Sequence, residues 1–236
     1  MKIACWSGPR NISTALMRSW SSRKDTFVSD EPFYAYYLAQ TKLKHPMYKQ
    51  IIDEYPSDYK KITKYLTGQI PSNKKIWYQK HMAHHLVNLT EIDWIKKCEN
   101  CILVRHPKEV ISSYIVKNQL KDIAELGYPQ QFEIIKFLKR NNQPIIVKDS
   151  NDILLDPNIS LKEWCLKLNI RYDKSMLKWK KGLHQNDGIW AIHWYDNVIN
   201  STEFKRFTKK DITIENKYDS IYNDAMKYYN YILELK

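Results

Sequence analysis

The stretch W-S-G-P-R-N-I-S-T-A-L, residues 6–16, joins a short apolar run to a segment with helical periodicity. The apolar run, residues 3–6, predicts a buried strand, and residues 12–23 predict a helix. Nucleotide-binding proteins hold phosphate at such a junction, because the first turn of a helix presents amide N–H groups that lack intrahelical partners. The stretch does not match the Walker A pattern G-x-x-x-x-G-K-[ST], since it has one glycine, Gly8, and no lysine before its threonine. It therefore predicts an anion-binding loop of another type.

Short apolar runs alternate with helical patterns along the rest of the chain. The predicted strands are residues 2–6, 27–28, 75–80, 101–104 and 144–147. The predicted helices are residues 12–23, 33–40, 47–66, 107–119, 160–169, 173–180 and 215–235. Strands that alternate with helices form parallel sheets covered on both faces. We therefore expect one α/β domain over residues 1–236, with three layers and a roughly five-stranded, mostly parallel sheet.

Ligands bind beyond the carboxyl ends of the strands in such sheets. The residues that follow the predicted strands are therefore the first candidates for a site. They are residues 7–14, Asp30 and Glu31, Lys80 and His81, Arg105, and Lys148 and Asp149.

The composition narrows the class of protein only slightly. The net charge is +12, from 38 basic and 26 acidic residues, which favours polyanionic partners. The basic residues are scattered, with no block of five like charges, so specific nucleic-acid binding is not predicted. No apolar run approaches the ~18 residues of a membrane span, and the N-terminal run is shorter than the ~7–15 residues of a signal-peptide core. With four scattered cysteines, these features favour a cytoplasmic protein.

Residues 9–14 read P-R-N-I-S-T and carry donors suited to a tetrahedral oxyanion. Arg10 offers a planar guanidinium, and Ser13 and Thr14 offer hydroxyl groups. The alternative is an ordinary helix start, with Asn11 as the cap and Arg10 in solvent.

Residues 105–114 read R-H-P-K-E-V-I-S-S-Y and follow the predicted fourth strand. Pro107 suits the first position of a helix, and Ser113 lies about two turns along it. Arg105 and Ser113 are thus placed to meet one phosphate, although this segment alone is also typical of a simple strand-to-helix junction.

The two segments together resemble the motifs of sulfotransferases that use 3′-phosphoadenosine 5′-phosphosulfate (PAPS). In that family P-[KR]-x-x-[ST]-T cradles the 5′-phosphosulfate, and R-x-P-x-x-x-x-x-S-Y grips the 3′-phosphate. The resemblance implies a P-loop-NTPase-like fold and sulfuryl transfer from PAPS to a hydroxyl or amine. It also implies which residues hold PAPS: Arg10, Asn11, Ile12, Ser13 and Thr14 at the 5′-phosphosulfate, and Arg105 and Ser113 at the 3′-phosphate.

Other segments resemble a bacterial-type branch of the same family, so that similar pieces run from residue 3 to about residue 207. They are S-D-E-P-F-Y-A-Y-Y-L (29–38), K-H-M-A-H-H-L (80–86) and the stretch 176–198. The chain departs from the pattern at residues 182–184, which read G-L-H where a G-P-R-like turn is expected. It also has Arg10 where many relatives carry lysine, which keeps the charge.

Sulfuryl transfer needs a base for the acceptor proton, and two candidates follow strands. Lys80-His81 resembles the strand end that carries a histidine base in related enzymes. Glu31 resembles the glutamate base or acceptor contact of some bacterial sulfotransferases. A histidine titrates near neutral pH without much tuning, which favours His81 over Glu31.

A metal ion is not expected. The sulfuryl group carries one negative charge, so the Arg10 cation can stabilise it without a metal. His81, His84 and His85 form H-x-x-H-H, but no glutamate stands in the zincin position. Cys98 and Cys101 form C-x-x-C ahead of a strand rather than at a helix start, which favours a structural role over redox chemistry.

The stretch from Trp179 to Trp190 resembles a basic loop that closes over the 3′-phosphate in related enzymes, with Lys181 as the candidate cation. A surface turn with both tryptophans in the core is the alternative. The acceptor is expected to be a small molecule, a sugar or a lipid, because aromatic walls suit all of these.

Three other functions are compatible with the sequence. A P-loop-like kinase would need Mg²⁺ and ATP, although the G-K-[ST] signature is missing. An inactive protein would bind adenosine 3′,5′-bisphosphate without turnover. A basic nucleic-acid binder would show steep salt dependence and no nucleotide preference.

Overall fold

The computed structural model describes residues 1–208 and 211–236. Its centre is a five-stranded sheet in the order β2-β3-β1-β4-β5, in which every neighbouring pair is parallel. The strands are β1 (Lys2–Ser7), β2 (Thr26–Asp30), β3 (Ile76–Met82), β4 (Glu99–Val104) and β5 (Ile145–Asp149). The predicted strands and the α/β class are confirmed, and helices cover both faces of the sheet.

The α-helices are α1 (Ser13–Ser21), α2 (Tyr34–Thr41), α3 (Tyr48–Glu54), α4 (Tyr59–Thr67), α5 (Pro107–Tyr114), α6 (Tyr128–Arg140), α7 (Ser150–Leu155), α8 (Pro157–Lys167), α9 (Ala191–Trp194), α10 (Asp196–Ile199) and α11 (Asp219–Leu233). Short 3₁₀ helices span Pro71–Asn73, Ala83–His85, Asp93–Lys97, Ile123–Leu126, Lys174–Leu177 and Asn216–Tyr218. Among the described residues, we find no helix with the length and hydropathy of a membrane span.

The helices differ from their predictions in several places. The segment 47–66 is two helices, α3 and α4, because Pro56 cannot continue a helix and Tyr55 before it is extended. The segment 173–180 contains only a short 3₁₀ helix. Helix α6 was not predicted, although its buried residues recur at helical spacing: Gln131, Ile134, Ile135 and Leu138.

Side chains alternate across the sheet and form two separate cores. On one face, Ala4, Trp6 and Trp77 pack with α5, α6 and α11. On the other face, Cys5 and Tyr78 pack with α1 and α8. Because strand residues alternate with a period of two, this pattern also decides which face each side chain at a strand end reaches.

The chain reverses its direction of travel across the sheet between β1 and β4. From β1 it moves outward to β2, and from β4 it moves the other way to β5. Such a topological switch point leaves a crevice at the carboxyl ends of the two strands. The buried side chain of Gln131 spans this point, because its Nε2 donates to the carbonyl oxygens of both Trp6 and Leu103 at 2.9 Å.

Gly8 allows two loops to approach closely beside this crevice. A Cβ at Gly8 would lie 2.1 Å from the carbonyl oxygen of Leu126, and Gly127 packs on the Gly8 Cα with φ +81°. Gly8, near the start of the predicted anion-binding loop, therefore serves backbone packing.

We expect Gly8→Ala to lower the free energy of unfolding by about 1–3 kcal/mol, because a rigid carbonyl must move to make room for the methyl group. Equilibrium urea unfolding measures this change. Gly68→Ala is the control with a smaller loss, since Gly68 has φ −74° and its added Cβ would meet its nearest atoms at 3.2 Å. Equal losses in the two variants would contradict the close-packing account.

Candidate active site

A cavity of about 770 Å³ opens at the carboxyl edge of the sheet, beside the switch point. Its walls come from the loop after β1, the ends of β2, β3 and β4, and the segment from Trp194 to Arg206. This volume lies within the ~300–1,000 Å³ that is typical of small-molecule sites.

The two motifs of the sequence meet on one wall of the cavity. Arg10 Nε donates to Ser113 Oγ at 2.8 Å, and Arg105 Nη1 donates to the carbonyl oxygen of Arg10 at 3.1 Å. Arg105 is also paired with Glu109, at 2.6 Å between Nε and Oε2. Burial and the neighbouring Arg105 charge both lower the pKa of the Arg10 guanidinium. Two close cations on a cavity wall favour the binding of an anion between or beside them.

The N-terminus of α1 faces the same wall. Its N-cap residue is Ile12, in the left-handed region with φ 56°, and none of the described side chains caps the helix. Asn11 is not the cap, because its Nδ2 donates to the carbonyl oxygen of Leu103 instead. Ser13 and Thr14 line the cavity. The amide N–H groups of the first turn are thus available to an anion, and their dipoles favour negative charge.

Two further cations, which no sequence motif indicates, also line the cavity. They are Lys205 and Arg206, on an irregular segment with no motif to identify it. Lys181, the predicted loop cation, is exposed and is not among the described residues that line the cavity.

The loop that contains Lys181 is anchored to helix α1 and to two hydrophobic clusters. Trp179 and Trp190 are buried in two different hydrophobic clusters. The buried Arg18 guanidinium pairs with Asp187 at 2.5 Å and donates to the carbonyl oxygen of Gly182. Both tryptophans therefore lie as the surface-turn alternative expects.

A buried polar cluster lies where β2 and β3 end. Lys80 Nζ donates to Asp30 Oδ1 at 2.9 Å, to Glu31 Oε1 at 2.5 Å and to Tyr195 Oη at 2.7 Å. All three ammonium donors of Lys80 are thereby used. Tyr195 Oη also lies 2.8 Å from Asp30 Oδ1 and 3.1 Å from Glu31 Oε1. Glu31, Lys80 and Tyr195 line the cavity.

Glu31 keeps one oxygen outside this cluster. Its Oε2 lies 3.9 Å from His85 Nδ1, beyond hydrogen-bond distance. Burial raises the pKa of the Glu31 carboxyl, with Lys80 opposing the shift. Burial alone would lower the pKa of Lys80, but Asp30 and Glu31 outweigh it and raise that pKa. The ammonium therefore stays charged, and the carboxyl of Glu31 is a weaker acid than an exposed glutamate.

The placement of His81 reverses the preference for it as the base. In β3 it lies on the opposite face from Lys80, stacked on Trp6 with ring centroids 4.3 Å apart. It is 1% exposed and is not among the described residues that line the cavity. Burial, with a smaller contribution from Lys80, lowers the pKa of His81 to about 3. The alternation of β3, with Ile76, Tyr78 and Lys80 on one face, is the signal that would have excluded it.

Three other histidines line the cavity, although the sequence analysis considered two of them only as metal ligands. His84 and His85 follow β3, and His45 follows α2. Burial lowers the pKa of all three, that of His84 to about 3, so they are neutral near pH 7. Within the described ranges, no cluster of three His, Cys, Asp or Glu side chains has a metal-binding arrangement.

The four cysteines are free and buried. Burial raises the pKa of the Cys98 thiol to about 12 and that of Cys101 well above its usual value. Thiols in this environment are poor nucleophiles, which agrees with the structural role predicted for C-x-x-C.

We expect His81 to make folding stability pH-dependent. Its pKa is about 3 in the folded state but ~6.5 in the unfolded chain, so the unfolded state gains the proton first as pH falls. The contribution is fully present above pH ~6.5 and is lost progressively toward pH 3, amounting to about 1.5 kcal/mol between pH 6.5 and 5. Urea unfolding measures this change. Between pH 6.5 and pH 5, the free energy of unfolding of His81→Phe should fall by about 1.5 kcal/mol less than that of the wild-type protein.

The difference between the two proteins at pH 8, where the histidine is neutral in both states, gives the packing effect of the phenyl ring and serves as the control. Stability curves that stay parallel from pH 8 to pH 5 would contradict the low folded-state pKa.

Comparison with a family model identifies the family of this chain, and comparison with solved structures supports the fold. A family model for the sulfotransferase domain matches residues 1–234. The chain is similar to a solved sulfotransferase domain from the curacin biosynthetic pathway, with TM-score 0.52 and 14% identity over 97% of this chain and 96% of that chain. It is also similar to a sulfotransferase from Alicyclobacillus acidocaldarius, with TM-score 0.54 and 8% identity over 98% and 95% of the two chains. At these identities, the structural likeness shows the fold alone.

Two curated relatives from Arabidopsis thaliana are longer proteins. Branched-chain-amino-acid aminotransferase-like protein 1 is 31% identical over 231 residues, which are 97% of this chain and 41% of that protein. Branched-chain-amino-acid aminotransferase-like protein 2 is 29% identical over 97% of this chain and 40% of its own length. The chain thus spans about two fifths of these relatives, and their names describe the longer proteins. Because the family model covers nearly all of its length, the chain belongs to the sulfotransferase domain family.

Proposed function

We propose that this protein transfers a sulfuryl group from PAPS to a hydroxyl or amine acceptor. The observation that carries the proposal is the junction of the two motifs, where Arg10 is bonded to Ser113 and lies beside Arg105 at an uncapped helix N-terminus. When bound, PAPS supplies a sulfuryl group on a bisphosphate leaving group.

The residues of this wall fit both ends of PAPS. Arg10 and the first turn of α1, with the hydroxyls of Ser13 and Thr14, would hold the 5′-phosphosulfate. Arg105 and Ser113 would hold the 3′-phosphate. Because the guanidinium of Arg10 is fixed by its bond to Ser113, little reorganisation is needed when negative charge shifts at this end of the cavity.

Glu31 is the base in this proposal. Lys80 and Tyr195 hold Oε1, so Oε2 is the oxygen that would take the acceptor proton. A raised carboxyl pKa suits this role, since a base acts best when its pKa approaches the working pH. His81 has no part in it, because its ring lies on the other face of the sheet.

We also propose a cytoplasmic location. The four cysteines are free thiols, which suits a reducing compartment.

The assignment of the donor is tested by thermal stabilisation with adenosine 3′,5′-bisphosphate. A ligand at one hundred times its Kd stabilises the folded state by ~2.7 kcal/mol. We expect the bisphosphate to give this stabilisation to the wild-type protein without Mg²⁺. We expect Arg105→Ala to lose it. Arg140→Ala, on an exposed helix end, is the control that keeps the shift. Stabilisation by Mg·ATP and not by the bisphosphate would instead favour a kinase.

The base is tested by measuring sulfuryl transfer with Glu31→Gln. We expect the rate to fall by about 10²–10⁴, because the amide cannot take a proton, while stabilisation by the bisphosphate persists. Glu234→Gln, on the exposed C-terminal end of the chain, should keep the full rate. If His81→Phe folds but loses transfer while Glu31→Gln retains it, the assignment of Glu31 is wrong. Bisphosphate binding without turnover of any acceptor would favour an inactive binding protein.

A further inference from the structure

We infer that the acceptor is an uncharged hydroxyl compound, and that acidic and cationic acceptors are discriminated against. This inference rests on the proposed function and concerns the acceptor part of the same cavity. It is carried by a continuous surface that we call the histidine wall, formed by Glu31, Tyr34, His45, His84, His85 and Trp194.

Direct contacts make the histidine wall continuous. Tyr34 Oη bonds His45 Nδ1 at 2.9 Å, and the Tyr34 ring stacks on His85 at 4.8 Å between centroids. The ring centroids of His84 and His85 lie 4.6 Å apart, and those of His45 and Trp194 lie 6.1 Å apart. The wall adjoins the base, since His85 Nδ1 lies 3.9 Å from Glu31 Oε2. A group that delivers its hydroxyl to Glu31 must therefore lie along these rings.

The histidine wall offers no unpaired cation to a ligand. Lys80 lines the cavity next to Glu31, and its three donors are used by Asp30, Glu31 and Tyr195. The three histidines are neutral because burial lowers their pKa values. Apart from Lys80, the cavity cations that bear on a ligand belong to the loops that hold the two motifs and to residues 205–206. An acidic acceptor would bury a charge without a partner at the histidine wall, and such burial is costly.

A cationic acceptor is disfavoured for a different reason. Glu31 in the histidine wall and the neighbouring Asp30 already share the Lys80 ammonium. An ammonium group drawn to Glu31 would lower the basicity of the oxygen that must take the proton, because a nearby opposite charge stabilises the carboxylate. A protonated amine also lacks the lone pair that attacks.

Two buried ring nitrogens indicate where an acceptor makes polar contacts. His84 Nδ1 and His85 Nδ1 are buried and have no hydrogen-bond partner among the described residues. Buried polar atoms are normally satisfied, so each such atom calls for an explanation. A neutral imidazole nitrogen can donate a hydrogen bond to a hydroxyl group or accept one from it, and neither bond requires a charged ring. Both nitrogens are closed off from the cavity in this structure, so we assign them to acceptor hydroxyls that reach them when the imidazole rings turn, one of them beside Glu31 Oε2.

The aromatic rings of the histidine wall suit both phenols and neutral sugars, and matched sets of acceptors separate the two. The phenol set is 4-methylphenol, 4-hydroxybenzoate and tyramine. The sugar set is methyl glucoside, methyl glucuronide and glucosamine. Sulfated product is measured by mass spectrometry with PAPS present. We expect the uncharged member of at least one set to have a kcat/KM at least about 10-fold above both charged members.

A charged acceptor that matches or exceeds its neutral partner would overturn the inference. So would transfer to charged members alone. In either case stabilisation by the bisphosphate, measured separately, reports whether the donor assignment stands.

Variants of the histidine wall test the polar contacts. His84→Phe and His85→Phe should each reduce kcat/KM for the uncharged acceptor by about 10-fold or more, while thermal stabilisation by the bisphosphate is unchanged. His184→Gln, outside the cavity, is the matched control. His84→Asn and His85→Asn restore a polar group and should recover part of the loss. A phenylalanine variant that folds, binds the bisphosphate and transfers at the full rate would count against the assigned contact.

Discussion

One buried amide holds together the part of the sheet on which the site depends. Gln131, from α6, donates to the carbonyl oxygens of Trp6 and Leu103, each one residue before the end of its strand, and Asn11 donates to the same Leu103 oxygen. Ser150 adds bonds to the carbonyl oxygens of Asn11 and Val104. These bonds fix the loop after β1 against the end of β4. These buried hydrogen bonds therefore set the spacing of Arg10 and Arg105. They are stronger than the same bonds in water, because the dielectric constant of the interior is low.

The sequence could predict the parts of the molecule that depend on local patterns. Apolar runs predicted the strands, and P-R-N-I-S-T with R-H-P-K-E-V-I-S-S-Y predicted the wall on which Arg10 and Ser113 meet. His81 was preferred because an isolated imidazole titrates near neutral pH. Burial outweighs that intrinsic property, and the alternation of β3 turns the ring away from the cavity. The intrinsic pKa of a side chain is thus a weak guide until its face of the strand is known.

Other parts of the site depend on contacts between distant segments, which local patterns do not encode. Lys205 and Arg206 reach the cavity from an irregular segment, and His45 reaches it from a loop that follows α2. Tyr195 joins the strand-end cluster from between two four-residue helices. The cavity thus has two different regions. The two sequence motifs predict the cationic wall, whereas the histidine wall is formed by segments that come together only in the folded chain.

The segment from Gly182 to Tyr195 is tied to the sheet by buried charges. Arg18 pairs with Asp187, the amide of Gly188 donates to Asp30, and Tyr195 joins Asp30 and Lys80. Moving this segment away from the sheet would leave several buried charges without partners, so its opening costs much free energy. Its amide hydrogens should therefore exchange with solvent at rates set by unfolding of the whole sheet. Ligands are accordingly expected to enter and leave by a route that does not displace this segment.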